Sequence, residues 1–149
     1  MGIMCDSPAT EAEIEEPGEG TFFRYSATLR IFGNISSIDE LTETLGVSPT
    51  YAHRRREKRG PHSQPFKHDM WMYEVPVPGA EPLHVHIDEL WRVFKDRKSY
   101  LLQLKKELTV DVFLGYRSNS DNAGVEVPAK SLEMFVDLQV PFGLSIIIT

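Results

Sequence analysis

The chain has 149 residues, 41% of them hydrophobic, and a formal net charge of −6. That length favours a single domain with a core of ordinary size, and without a run of some 18 apolar residues nothing in it reads as a membrane span. One cysteine, Cys5, excludes an internal disulfide and a cysteine zinc cluster. With no charged-then-apolar leader at the start, the expected location is the cytoplasm.

The negative charge has a local source. Asp6, Glu11, Glu13, Glu15, Glu16 and Glu19 stand in a stretch without Lys or Arg, and setting them aside leaves 16 acidic residues against 16 basic ones. Residues 1–21 hold Pro8, Pro17, Gly18 and Gly20 and little that is apolar, so they read as a disordered acidic tail ahead of one domain over 22–149. A strand is predicted over 22–32, where Tyr25, Ala27, Leu29 and Ile31 alternate with Ser26, Thr28 and Arg30. Ser36 or Ser37 then caps a short helix with Ile38, Leu41 and Leu45 inward, and Gly46 and Pro49 stop it.

Residues 50–68 are expected to be a long loop, a feature that is usually functional or mobile. A second strand follows over 70–77, with Trp71, Tyr73, Val75 and Val77 on one face and Pro76 and Pro78 marking a sheet edge. The longest helical pattern comes next. Ile87, Leu90, Trp91 and Phe94 fall at i, i+3, i+4 and i+7, and the stripe breaks at Arg97-Lys98 before resuming at Leu101, Leu104 and Leu108. Two helices are predicted, about 83–95 and 98–106, with a bend at Asp96-Arg97 and Asp96 as cap of the second. A strand over 108–116 places Val110, Val112, Leu114 and Tyr116 on one face. Beyond a polar turn at 118–124, residues 125–127 read as a brief strand. Pro128 opens a helix to Leu138 with Leu132, Phe135 and Val136 inward, and 144–148 reads as a strand buried on both faces. The two halves are alike, each a strand-helix-strand unit, joined by the bent central helix. The predicted class is α+β: a mostly antiparallel sheet with helices on one face, ferredoxin-like in part.

Four groups of residues bear on function. His53, Arg54, Arg55, Arg56, Lys58 and Arg59 form a basic loop, and clustered arginines grip phosphate or carboxylate through paired hydrogen bonds. These six are the candidate site for an anion or a partner. A neutral body and the lack of stacking aromatics inside the loop argue against nucleic acid. All five histidines fall between 53 and 86, but His84 and His86 diverge at a helix start and no helical ligand spacing is present, so no metal and no cofactor are expected. His86 is expected to bond backbone near that start. No nucleophile or phosphate-loop motif appears, so no catalytic residue is named. Trp71, Tyr73, Trp91, Phe94 and Tyr100 are expected to cluster in the core.

The expectation is a cytoplasmic binding or interaction module for a protein or small anionic partner. Its alternative is an enzyme using Arg and His residues of the 53–68 loop, which clustering of His53, Arg55, His68 and His86 would favour. The tail, acidic where the loop is basic, is expected to shield the loop transiently through salt-sensitive contacts.

Several segments together resemble a mainly bacterial family, domain of unknown function 4279. They are Leu29 to Gly33, Leu45 to Thr50 with His53, the Trp71 strand, His86-Ile87 with Leu90, Val110 to Ser118, and Gly124 with the closing helix and strand. The resemblance covers residues 24–149, nearly everything but the tail. It implies no reaction, cofactor or catalytic residue. Some members are associated with toxin systems as immunity proteins, which implies an immunity-type role as one version of the binding module.

Overall fold

A computed structural model describes residues 20–149. The expected tail, up to Glu19, lies outside the described residues, and so does its predicted contact with the basic loop. Strand β1 (Phe23–Gly33) is followed by helix α1 (Ile38–Leu45), the short β2 (Tyr51–His53) and β3 (Asp69–Glu74). Helix α2 (Leu83–Phe94) runs through a 3-10 turn at Lys95–Arg97 into α3 (Lys98–Leu104). Strand β4 (Thr109–Ser118), a 3-10 turn at Ala129–Leu132, α4 (Glu133–Leu138) and β5 (Phe142–Ile148) complete the order. The five strands form one sheet, β2-β3-β1-β4-β5. Every neighbour pair is antiparallel except β4 and β5. This is an α+β architecture.

The strand-helix-strand units are both present, but they close differently. In the first, β1 and β3 run antiparallel; only the second, β4-α4-β5, brings its strands back parallel.

Period-2 alternation builds the core. Ala27, Leu29 and Ile31 of β1, Trp71 of β3 and Val110, Val112 and Leu114 of β4 are buried on one face. The helices cover that face with Leu41, Leu45, Ile87, Leu90, Trp91, Phe94, Leu101 and Leu138. The predicted i, i+3, i+4, i+7 stripe of α2 is therefore its buried face. Trp71 and Tyr73 both meet Phe94 edge-on, with ring centroids 6.4 and 5.5 Å apart. Ser37 caps α1, its Oγ accepting from Glu40 N at 3.1 Å, and Gly46 ends it in the left-handed region at φ 79°.

Strand β3, which Pro76 and Pro78 would put at a sheet edge, lies between β2 and β1, because residues 51–53 of the expected loop pair with it. Four further expectations are corrected. Residues 125–127 form no strand. Asp96 caps nothing: α3 grows directly out of the 3-10 turn, with Arg97 at its N-cap and no side-chain cap bond. In the last helix the inward residues are Met134, Phe135 and Leu138, while Leu132 and Val136 face solvent. The 3-10 turn that precedes α4 rotates the stripe away from a continuous α-helical phase. The fourth correction is the largest. Strand β5 is not buried on both faces but is the edge of the sheet, with Phe142, Leu144, Ile146, Ile147 and Ile148 all exposed. An apolar run does not distinguish a central strand from an edge strand that lacks a neighbour.

Candidate functional site

The basic loop is a folded hairpin rather than a slack connection. Arg56 N donates to Phe66 O at 2.9 Å and Phe66 N to Glu57 O at 2.8 Å. Arg54 N donates to Glu57 Oε1 at 2.8 Å. His53 stacks flat on Phe66, centroids 3.6 Å apart, while Tyr51 Oη and His68 O occupy its two ring nitrogens at 2.7 and 3.1 Å. Arg56 turns the chain with φ 76°.

A residue that the sequence reading did not single out holds this loop. Asp69, 0% exposed at the start of β3, accepts the backbone N–H of Ile35 and of Arg55, both at 2.8 Å. The Arg55 guanidinium stands 3.2 Å from its Oδ2 and the Arg54 guanidinium 3.5 Å from its Oδ1. Arg55 also donates to Asn34 Oδ1 at 2.7 Å. Burial pushes the Asp69 carboxyl up, but the two N–H donors and two guanidinium groups outweigh it and hold its pKa below the ordinary value. The six predicted residues thus divide. His53, Arg54 and Arg55 brace the loop, whereas Arg56, Lys58 and Arg59 are exposed and form no ion pair among the described residues.

The four residues of the enzyme alternative do not converge. His53 points to the open side of the sheet, in register with Met70. His86 is buried in the helix layer, edge-on to Tyr25, with Nε2 bonded to Glu81 O at 3.1 Å. Burial pushes the His86 imidazole below its ordinary pKa, against the opposing pull of the Glu81 carbonyl. Among the described residues no group of three or more His, Cys, Asp or Glu side chains is placed to hold a metal ion.

A second candidate lies on the sheet face that no helix covers. Three rows of side chains cross it, set by the register. In the middle row Ser26 faces Gly115, which faces Ser145; on one side Arg24 faces Arg117, which faces Ile147. On the other side Glu74 and Phe113 flank Thr28. The middle row is small, so a trough of about 460 Å³ runs between the arginine row and the Thr28-Phe113 row. Val77 and Gly79 line it beside β1, where Tyr25 N bonds Gly79 O at 2.9 Å.

Two glycines sit close to their neighbours here. A Cβ on Gly115 would meet Ser26 Oγ unless that hydroxyl rotated away, and one on Gly143 would stand 3.1 Å from two carbons of the Phe113 ring. The three arginines of the open face differ. Arg30 makes a two-pronged pair with Asp111, both bonds 2.8 Å, and lies over the Phe113 ring at 4.6 Å. Arg24 and Arg117, direct cross-strand partners, are both exposed and form no ion pair among the described residues. Like charges placed directly opposite on a sheet repel. Their only sequence signal is a shared polar phase on two alternating strands, and that does not reveal that the strands are neighbours.

Residues 23–148 match the family described as a domain of unknown function, DUF4279. The chain belongs to that family. No curated protein and no solved structure matches it. The match begins with β1 and ends with the last residue of β5, so the loop and the trough both lie inside the family domain.

Proposed function

We propose that this protein is a small binding module for an anionic partner, and that the trough on the open sheet face receives the anion. The observation that carries this reading is the Arg24–Arg117 pair. Their Cα atoms are direct partners across β1 and β4, and the Arg24 guanidinium stands 6.0 Å from the Phe22 ring. Both residues line the trough, and neither forms an ion pair with a carboxylate among the described residues. A carboxylate or phosphate between them would relieve the repulsion and could accept paired charge-assisted hydrogen bonds. The trough has the size of a small-molecule site. Hydroxyls of Ser26, Thr28 and Ser145 offer polar contacts and Phe113 and Ile147 apolar ones, while the Glu74 carboxylate in the far row disfavours an anion there and leaves the arginine row as its place. Together they suit a small organic anion with an apolar or aromatic body. An immunity-type role is the macromolecular version of this reading, in which the anion is an acidic side chain of one protein. The proposal places the module in the cytoplasm.

A second reading rests on the loop. Arg56, Lys58 and Arg59 form no ion pair among the described residues and stand on a hairpin that Asp69 holds in place, so they offer a preorganised basic surface for an acidic partner.

Calorimetric titration of the full-length protein separates the two. The probes are inorganic phosphate and phenyl phosphate, with benzyltrimethylammonium as a cationic control. Phenyl phosphate is expected to bind more tightly than phosphate, the control not at all. Arg24→Gln or Arg117→Gln should weaken binding by about tenfold or more, the loss of a charged hydrogen bond. Replacing Arg56, Lys58 and Arg59 together by Gln should leave it unchanged. Binding lost in the loop variant and kept in the trough variants would move the site to the loop. Absence of binding to either anion would remove both readings.

A further inference from the structure

The two edges of the sheet are built differently. Edge β2 is three residues long and continues into the basic hairpin. Edge β5 is seven residues long, Phe142-Gly-Leu-Ser-Ile-Ile-Ile148, with no charge and no proline. Edge strands are normally blunted by shortness, charge or proline, because an unpaired row of N–H and C=O groups templates another strand. Strand β5 carries none of these devices.

Apolar surface gathers on the same side. Of nine exposed large hydrophobic residues among those described, eight fall between 125 and 148: Val125, Leu132, Val136, Phe142, Leu144, Ile146, Ile147 and Ile148. Their exposed fractions, 36 to 72%, leave on the order of 700 Å² of side-chain surface open over both faces of β5 and the adjoining segment, close to one partner's share of a standard interface. An apolar cleft of about 330 Å³ between the helices and β5, lined by Leu83, Val125, Phe135, Phe142 and Leu144, continues the patch.

We propose that β5 pairs antiparallel with β5 of a second copy, about a twofold axis at Ser145, to make one ten-stranded sheet. The strand is self-complementary in that register. On the helix side Phe142 meets Ile148 of the second copy and Leu144 meets Ile146, so each large apolar side chain finds another. On the open side Ser145 meets itself and Ile147 meets Gly143, over which the Phe113 ring already lies. Directly opposed pairs of this kind are what stabilise a sheet, and the twofold axis uses each apolar pair twice. The absence of charge on β5 means that two copies approach without repulsion along the strand. This inference does not rest on the anion site, although Ser145 and Ile147 border both.

Sedimentation velocity of the full-length protein tests it. A concentration-dependent dimer is expected at or below about 0.1 mM, where even a micromolar complex is saturated. Ile146→Lys and Leu144→Glu should each be monomeric alone. Mixed one to one they should form a heterodimer, because in this register position 146 of one copy faces position 144 of the other and the introduced ammonium meets the introduced carboxylate. Circular dichroism of each variant checks folding, and Ser145→Cys on a Cys5→Ser background should oxidise to a linked dimer. A wild-type monomer at the highest concentration would overturn the proposal. A dimer unaffected by Ile146→Lys would overturn the surface. Failure of the mixture to associate, together with a Ser145→Cys protein that stays unlinked, would overturn the register.

Discussion

At Asp69 one buried carboxylate organises two connections at once. It accepts from Ile35, which leads into α1, and from Arg55, which leads out of β2. In Asn one of those N–H groups keeps an oxygen acceptor while the other faces the amide NH2, itself a donor, and two guanidinium groups lose their counter-charge. Asp69→Asn should therefore cost about 2–4 kcal/mol in urea melts, the range for a broken buried charged network. The pH dependence follows from the lowered pKa of the carboxyl. A carboxyl depressed in the fold contributes stability that is fully present above its unfolded pKa, about 4, and lost as pH falls through the folded value. The gap between wild type and Asp69→Asn should thus be constant near neutrality and narrow below about pH 4. A gap that persists at pH 2 would mean that shape, not charge, carries the effect. His86 has the same sign by another route. Held neutral by burial, it draws stability down as pH falls below about 6.5.

Among the elements, α2 was the most legible in sequence, because a full i, i+3, i+4, i+7 stripe has only one helical face to bury. Trp91 is 8% exposed and its indole N–H donates to Glu133 Oε2 at 2.8 Å. Trp91→Ala should cost roughly 3–5 kcal/mol, as large aromatic truncations in cores do; a loss below about 1 kcal/mol would place the ring outside the core. Strands β1 and β4 were equally plain, since each alternates over its whole length. What local pattern could not supply was neighbourhood. The Ile146-Ile147-Ile148 run reads as core because hydrophobicity alone does not say whether a further strand lies beside it. Leu132 and Val136 read as inward because a short 3-10 turn shifts the helical phase without a marker in composition. The basic loop was visible as charge, yet which of its arginines are engaged depends on Asp69, fourteen residues or more away along the chain.

For the whole molecule, one sheet carries three surfaces. Helices seal one face, the other is open with the trough at one end, and β5 leaves an apolar edge. Arg24 and Arg117 became a pair only through the β1–β4 register. On the proposed reading, placing them opposite each other is a local cost to the empty protein and an advantage to the anion-bound one, as at other sites where stability is exchanged for function. That exchange can be measured directly by thermal melts of wild type and Arg117→Gln at low salt, each with and without phenyl phosphate. The anion-free variant should melt at or above the wild type, since a cross-strand repulsion of a few tenths of a kcal/mol has been removed. Phenyl phosphate should raise the melting temperature of wild type and leave that of the variant nearly unchanged. A variant that melts well below wild type without ligand, or that is stabilised by phenyl phosphate as much as wild type, would contradict the anion-binding account.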